Sequence, residues 1–190
     1  MKTLLLLGLC PLLASAQTAP NPQIDYAGFV TRATNLEKTR EANRVSEDEF
    51  VRLMREPGTV VLDARTPDKF ANIHIKGAIN LPLTDFTAEA LAKTIPDKTA
   101  RILIYCNNNF ANEPANFASK RIEVALNIQT FINLHAYGYT NVKELGPYLD
   151  VMTTKIPFEG KAVENGQIRF IGSLRRSIAG EQPAQLIKPQ

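Results

Sequence analysis

The sequence contains no tryptophan and only two cysteines and two histidines in 190 residues. The histidines, His74 and His135, are far apart, and no cluster of cysteine, histidine and carboxylate residues has the spacing of a metal site. The 10 glycines are scattered, so the sequence lacks the glycine-rich loop that cradles a phosphate or a dinucleotide. We therefore expect neither a metal nor an organic cofactor.

Strong charge and long apolar runs are also missing. The formal net charge of +3 is small and evenly spread, which disfavours nucleic acid or a membrane surface as a partner. The one apolar run, from Leu4 to Leu13, is too short to span a bilayer. It follows Lys2 and precedes Ala14-Ser-Ala16, a pattern typical of a signal peptide cleaved after Ala16. We predict an exported protein, periplasmic or secreted, that starts at Gln17 and has no membrane contact after cleavage.

The scarcity of cysteine draws attention to Cys106. Cys10 would leave with the signal peptide, so Cys106 cannot form an internal disulfide and is either buried and inert or reactive. The run from Arg101 to Cys106 reads as a short buried strand, and three asparagines break it. Open α/β sheets place their ligand crevice at the carboxyl ends of strands. This position predicts a nucleophilic thiol.

The middle of the chain alternates between strand and helix patterns. Residues 22–43 have apolar positions at loosely helical spacing, which predicts an amphipathic lead-in helix. Ser46-Glu-Asp-Glu49 is a capping box that begins a second helix. Such alternation predicts an α/β fold with a central parallel sheet and helices on both faces. Further helices are predicted from Thr66 and over 87–95, and strands over 59–62, 78–81, 102–105 and 141–145.

Several motifs, in their order along the chain, resemble the rhodanese family. The matching blocks are Val60–Arg65, Phe70, His74–Pro82, Ile104–Cys106 and Tyr137–Val142, and His74-Ile-Lys-Gly-Ala-Ile-Asn80 is the distinctive one. The resemblance implies a rhodanese-like domain over residues 44–150. We assign residues 1–16 to the signal peptide, 17–43 to a lead-in segment and 151–190 to a C-terminal extension.

The resemblance implies a sulfurtransferase that works through Cys106. Its thiolate would take a sulfane sulfur from a small donor, hold it as a persulfide and pass it to a thiol or protein acceptor. Such a site has to stabilise negative charge, and main-chain amides of a tight loop followed by a helix can do so. The predicted anion-binding loop consists of Asn107, Asn108, Asn109, Phe110 and Ala111. Asp63 and Arg65, at the end of an earlier strand, are assigned a supporting role, bonded to loop backbone and to each other.

The sequence also departs from the family pattern. Ala111 stands where rhodaneses usually carry an arginine, which disfavours the dianion thiosulfate as a donor. Arg65, Lys120 and Arg121 are the candidates to replace it. Residues 107–137 are longer than usual, and their apolar residues predict two helices that form a lid or pocket wall and shape the choice of acceptor. Asn112 is predicted to cap the first of these helices.

Two other functions stay open at this stage. The missing arginine favours a non-catalytic or redox-responsive rhodanese-like module that binds a partner. A cysteine-dependent phosphatase is the least favoured, since its loop needs an arginine for the phosphoryl group. We interpret His74 as a structural hydrogen-bonding residue and His135 as a surface residue. For the C-terminal extension two alternatives stay open: one short strand over residues 168–171, or a mobile tail.

Overall fold

A five-stranded parallel sheet forms the centre of the molecule. The computed structural model describes residues 21–169, so the predicted signal peptide lies outside the described residues. Within them the strands are β1 (Arg44–Val45), β2 (Thr59–Asp63), β3 (His74–Ile75), β4 (Ile79–Asn80), β5 (Arg101–Tyr105), β6 (Phe110–Ala111), β7 (Val142–Leu145), β8 (Leu149–Asp150), β9 (Phe158–Glu159), β10 (Val163–Glu164) and β11 (Gln167–Ile168). The main sheet has the order β1-β7-β5-β2-β4, and all its neighbours are parallel.

Short helices connect these strands. They are α1 (Tyr26–Ala42), α2 (Glu47–Met54), α3 (Pro67–Asn72), α4 (Ala88–Thr94) and α5 (Leu126–Ala136), with 3-10 turns at Leu83–Asp85, Asn107–Asn109 and Ile122–Val124. The predicted capping residue of α2 is confirmed, because the Ser46 side chain accepts a hydrogen bond from the Glu49 main-chain nitrogen at 3.2 Å. Among the described residues, none of the helices has the length and hydropathy that crossing a bilayer requires.

Helices cover both faces of the sheet, as predicted. Because side chains alternate along a strand, Leu103 and Tyr105 of β5 join one core cluster and Ile102 and Ile104 join the other. The first cluster includes Phe50 of α2 together with three further phenylalanines, Phe110 of β6, Phe117 and Phe158 of β9. The second contains Leu91 of α4 and Phe131 and Leu134 of α5. The central strand β5 is therefore buried on both sides, and a residue that follows it is enclosed by packed elements.

The lead-in segment forms a helix, but not one with a buried apolar face. Asp25 caps α1 by accepting from the Gly28 main-chain nitrogen at 2.8 Å. None of the residues of α1 is buried, and Tyr26, Phe29 and Val30 are exposed. Leu36 is its one apolar residue packed against the second core cluster. The prediction of an amphipathic helix is therefore wrong about packing, because the apolar residues of its first turns are exposed and not buried on one face.

The segment after Cys106 contains one α-helix, where two were predicted. Asn112 does not cap a helix: it has a positive φ of 64°, and Glu113, Pro114 and Asn116 form a turn after it. The prediction failed because Phe117 is held in the opposite core cluster from α5, which draws residues 112–125 across the edge of the sheet as an irregular segment. We call residues 112–125 the cover segment. It ends where α5 begins.

The chain stays in the core after residue 150. Val151, Ile156 and Phe158 are buried, and β9 pairs antiparallel with β3. The described part then ends in a small antiparallel hairpin of β10 and β11. Of the strand predicted over 168–171, Ile168 belongs to β11 and Arg169 does not, and residues 170 and 171 lie outside the described part.

Candidate active site

Cys106 lies directly after β5, at the carboxyl edge of the sheet. This strand pairs with β2 on one side and β7 on the other, so Cys106 is at the centre of the sheet edge. Its side chain follows the alternation of β5 and shares the face of Ile104, the face that α5 covers. The residue is 1% exposed. The structure thus puts the thiol where the sequence predicts it, but beneath the surface.

Asn109 holds the loop that follows Cys106. Its side-chain oxygen accepts a hydrogen bond from the Cys106 main-chain nitrogen at 2.9 Å and another from the Asn127 side chain at 3.0 Å. Its side-chain nitrogen donates to the main-chain oxygens of Leu145, at 2.8 Å, and Pro147, at 3.2 Å. Asn109 is itself buried. One amide side chain therefore ties the cysteine loop to the end of β7 and to the first turn of α5.

The other residues of the predicted anion loop mainly brace it. The Asn107 side chain donates to the main-chain oxygen of Ala118 at 3.0 Å. Asn108 makes two bonds to Lys120, donating to its oxygen at 2.8 Å and accepting from its nitrogen at 2.9 Å. Phe110 is buried in the first core cluster, and Ala111 pairs with Asp150. Both asparagines therefore fasten the cover segment to the cysteine loop.

The main-chain amides that act on the sulfur come from two places. Burial raises the pKa of the Cys106 thiol, and the amides of Asn127, Asn108 and Leu126 oppose that increase. Leu126 and Asn127 are the first residues of α5, whose amide groups have no partner within the helix. In the predicted cradle of residues 107–111, the nitrogens of Asn109 and Phe110 instead bond the main-chain oxygens of Cys106 and Asn107. Two of these three amides therefore come from a helix about twenty residues after Cys106.

A buried carboxylate near the thiol was not predicted from the sequence. Glu144 of β7 is 4% exposed, and its negative charge raises the pKa of Cys106 further. It accepts a hydrogen bond from Arg40 of α1 at 2.6 Å and one from the Asn127 side chain at 3.4 Å. Both Arg40 and Asn127 lie far from Glu144 in sequence. A charged residue inside a buried parallel strand was the one signal that sequence reasoning passed over.

Asp63 and Arg65 form a buried structural pair. Arg65 donates from Nε to both oxygens of Asp63, at 3.0 and 3.1 Å, and from Nη2 to Oδ2 at 2.6 Å. The same guanidinium also donates to the main-chain oxygens of Ile73, at 2.6 Å, and Asn116, at 3.2 Å. It lies over the Phe117 ring at 4.4 Å. Arg65 therefore anchors the start of the cover segment, and its hydrogen-bonding groups face other partners than the thiol.

None of the predicted replacements for the loop arginine contacts the thiol within the described residues. Arg65 is occupied as just described. The Arg121 side chain is 85% exposed and lies 3.6 Å from Glu123. Lys120 is exposed and reaches the loop through its main chain. The nearby Glu113 closes a turn by accepting from the Asn116 main-chain nitrogen at 2.7 Å. Among residues 21–169, therefore, none of the three predicted cationic side chains lies beside the Cys106 sulfur.

The two histidines differ in their surroundings. His74 has Nδ1 at 2.7 Å from the Phe70 oxygen and Nε2 at 3.2 Å from Glu159, and it stacks on the Phe70 ring. These contacts agree with the predicted structural role. His135 stacks on Phe131 and is partly buried, so its prediction as a surface residue is wrong. In residues 21–169 there is no group of histidine, cysteine and carboxylate side chains that could hold a metal ion.

Comparison with known proteins places this site in a family. Residues 46–146 match the family model of the rhodanese-like domain, which is more than half of the chain. This chain belongs to the rhodanese-like domain family. Thiosulfate sulfurtransferase PspE of Escherichia coli K12 is 30% identical over 95 residues, which cover 50% of this chain and 76% of that protein.

Solved structures also resemble this rhodanese-like chain. The BH2092 protein from Bacillus halodurans is 16% identical, with a TM-score of 0.48 over 78% of this chain and 98% of that one. A thiosulfate sulfurtransferase from Pseudomonas aeruginosa is 20% identical, with a TM-score of 0.44 over 73% of this chain and 23% of that one.

Burial of the thiol in this rhodanese-like domain predicts a loss of stability at high pH. The pKa of Cys106 is raised in the folded chain, so the folded state keeps a proton that the unfolded state releases. The free energy of unfolding therefore falls as the pH rises above about 8.5, the ordinary thiol pKa. We expect Cys106→Ser to remove this part of the fall in urea denaturation between about pH 8 and about pH 10.

Tyr105 provides an internal reference for that measurement. Burial and the charge of Asp63 raise the pKa of Tyr105, so a second loss of stability begins near pH 10 and persists in the serine variant. An identical pH dependence in the two proteins between about pH 8 and about pH 10 would contradict the assignment to Cys106.

Proposed function

We propose that this rhodanese-like domain is an exported sulfurtransferase that carries sulfane sulfur as a persulfide on Cys106. One observation carries the proposal: Cys106 is at the carboxyl end of the central strand and faces the amino end of α5. Main-chain amides at such a helix end favour a negative charge on sulfur. Membership of the rhodanese-like family and similarity to a thiosulfate sulfurtransferase support the reaction class.

The proposed reaction has two balanced steps. The Cys106 thiolate attacks the outer sulfur of a donor, the S–S bond of the donor breaks, and the leaving group departs with the bonding electrons. With thiosulfate as donor the leaving group is sulfite, and Cys106 becomes an anionic persulfide. In the second step a nucleophilic acceptor attacks the terminal sulfur, and the Cys106 thiolate is restored. Neither step changes the total charge or needs an external oxidant.

The surroundings of the thiol bear on the choice of donor. Amide groups of Asn108, Leu126 and Asn127 can hold one negative charge on a persulfide. A thiosulfate dianion brings two charges next to Glu144, and no cationic side chain of the described residues lies beside the sulfur to offset them. We therefore propose that small persulfides and polysulfides are better donors than thiosulfate, and that a thiol of a small molecule or a protein is the acceptor.

The experiment is sulfur loading followed by intact mass measurement. Full-length protein carrying Cys10→Ser is incubated with glutathione persulfide or with thiosulfate, and then with cyanide as acceptor. We expect the mass of one added sulfur, its loss on addition of cyanide with release of thiocyanate, and no added sulfur in the further Cys106→Ser variant. Glutathione persulfide should load at least about tenfold faster than thiosulfate. If no donor adds sulfur to Cys106, the proposal is wrong.

A second function is favoured by one observation. Cys106 is 1% exposed and its pKa is raised, whereas reactive cysteines are usually accessible and of low pKa. A non-catalytic or redox-responsive module that binds a protein partner fits this burial. It predicts no sulfur transfer with any small donor and unchanged partner binding in Cys106→Ser.

Export is part of the proposal and is supported by the sequence alone. Lys2, the apolar run from Leu4 to Leu13 and the small residues Ala14 to Ala16 form the pattern of a cleavable signal peptide. A periplasmic or secreted location would place Cys106 among oxidants, where burial beneath the cover segment protects an unpaired thiol.

A further inference from the structure

Glu144 is a buried charge that shares a face of the sheet with the reactive thiol. In the register of the parallel pair β5 and β7, Glu144 is opposite Ile104, and Cys106 is two residues further along β5. Both side chains therefore point to the face that α5 covers. A carboxylate that is 4% exposed costs free energy unless it is paired. Its presence beside a thiol that must ionise calls for a physical reason.

The counter-charge of Glu144 comes from outside the matched domain. Arg40 belongs to α1, which precedes the segment that matches the family model, and it donates to Glu144 Oε1 at 2.6 Å. Although none of the residues of α1 is buried, its last turn delivers this guanidinium to the sheet edge. The Glu144 main-chain nitrogen also donates to the oxygen of Asn43, just after α1, at 2.9 Å. The lead-in helix is thus joined to the strand beside Cys106.

The ion pair connects to the thiol through two asparagines. Asn127 donates to Glu144 Oε1 at 3.4 Å and to Asn109 Oδ1 at 3.0 Å, and Asn109 accepts from the Cys106 main-chain nitrogen at 2.9 Å. The main-chain amide of Asn127 also faces the sulfur. In the described part of the chain, Arg40 Nε, Asn127 Oδ1 and Glu144 Oε2 are buried without a hydrogen-bond partner. The hydrogen bonds between these residues therefore run from Arg40 through Glu144, Asn127 and Asn109 to the main chain of Cys106.

We propose that Arg40 and Glu144 are positioning residues that control the charge of the Cys106 thiol: Glu144 opposes formation of the thiolate, and Arg40 offsets Glu144. Arg40 of α1 thereby supplies a positive charge that acts on the thiol through Glu144 and not by direct contact. The meaning of this control for catalysis rests on the proposed sulfurtransferase function. The control itself can be measured without any sulfur transfer.

Other charges around the thiol lie on the remaining elements that pack against it. The cover segment carries Glu113, bonded within its own turn, and the exposed Lys120 and Arg121. The first turn of α5 carries no charged residue. Strand β2, which lies on the other side of β5 from Glu144 and β7, contributes Asp63, and Asp63 is paired with Arg65. Glu144 is the charged group that acts on Cys106 in this arrangement.

The test is a pH titration of the thiolate in charge variants. In the full chain with Cys10→Ser, absorbance is followed against pH at roughly 240 nm, a wavelength at which thiolates absorb and neutral thiols do not. The spectrum of the matching Cys106→Ser protein is subtracted. We expect Glu144→Gln to lower the Cys106 pKa by about one unit and Arg40→Met to raise it by about one unit. The double variant should fall between the two, and Arg40→Lys should restore the original value.

Opposite shifts distinguish charge control from a purely structural role. Loosened packing would move both variants in the same direction, so shifts of equal sign, or no shift in Glu144→Gln, would overturn the proposal. Glu49→Gln, which removes a carboxylate paired with Arg52 on α2, is the matched control and should leave the pKa of Cys106 unchanged. If Arg40→Met fails to fold, Glu144→Gln still decides, because the amide keeps the shape of the side chain.

The proposal and the function can fail separately. A chain that shows these opposite shifts but never gains sulfur would refute the sulfurtransferase and keep the charge control. If instead the chain forms the persulfide but Glu144→Gln leaves the titration of Cys106 unchanged, the charge control is refuted and the sulfurtransferase function is kept.

Discussion

Replacing Arg65 with alanine is expected to lower the free energy of unfolding by about 3–5 kcal/mol. Asp63 is 0% exposed, and the guanidinium of Arg65 provides its ion pair and three of its hydrogen bonds. Without Arg65 a carboxylate is left inside the protein with Tyr105 and a main-chain nitrogen as its remaining partners. The main-chain oxygens of Ile73 and Asn116 lose a donor as well.

Urea denaturation followed by circular dichroism measures this effect, since the chain has no tryptophan to report by fluorescence. Arg121→Ala is the matched control, because it removes an arginine that is 85% exposed and only 3.6 Å from its acidic neighbour. We expect the control to unfold at the same urea concentration as the original chain. A loss below about 1 kcal/mol in Arg65→Ala would mean that Asp63 is satisfied without its partner.

Replacing Asn108 with alanine is expected to expose the thiol and raise its rate of alkylation about tenfold. The two hydrogen bonds between Asn108 and Lys120 close the cover segment over the cysteine loop. Each contributes about 0.7 kcal/mol at this partly exposed contact, and their sum of about 1.4 kcal/mol changes an opening equilibrium by about tenfold. Because Cys106 is 1% exposed, alkylation has to pass through an open form of the chain.

The measurement is the rate of iodoacetamide alkylation of Cys106 at fixed pH, read by intact mass in the Cys10→Ser background. Asn141→Ala is the matched control: this asparagine also donates to a main-chain oxygen, that of Thr99, at 3.2 Å, but it precedes β7 at the opposite edge of the sheet. An equal rate in the original chain, the Asn108 variant and the control would show that the cover segment does not limit access.

Point substitutions are a sharper test of the cover segment than deletion. Removing residues 116–134 would take Phe117 from one core cluster and Phe131 and Leu134 from the other. Loss of such buried side chains costs about 3–5 kcal/mol for each phenylalanine, so the shortened chain would not fold. Asn108 lies in the cysteine loop, half-buried, and bonds Lys120 of the cover segment, so it can be changed without entering the core. The lid role predicted for residues 107–137 is therefore best tested at this contact.

Four of the five strands of the main sheet were predicted because their patterns are local, and the two-residue edge strand β1 was missed. Thr59–Asp63 and Arg101–Tyr105 are short apolar runs bounded by polar residues, so their strand conformation can be predicted without knowledge of distant parts of the chain. The prediction of α1 was right about the helix and wrong about its packing, since helix formation is local and burial is not. The two helices predicted after Cys106 failed for the same reason: Phe117 belongs to a core cluster that sequence spacing cannot reveal.

Sequence alone determined that this chain has a cysteine at the carboxyl end of a parallel strand within a rhodanese-like domain. This was possible because strand periodicity, turn residues and family motifs each involve residues that are close together in the sequence. Only the tertiary structure decided what surrounds the sulfur. Arg40 and Glu144 are 104 residues apart, and Asn127 reaches back 18 residues to Asn109. Charges brought together over such distances depend on how helices pack on the sheet, and that packing sets how readily the thiol ionises.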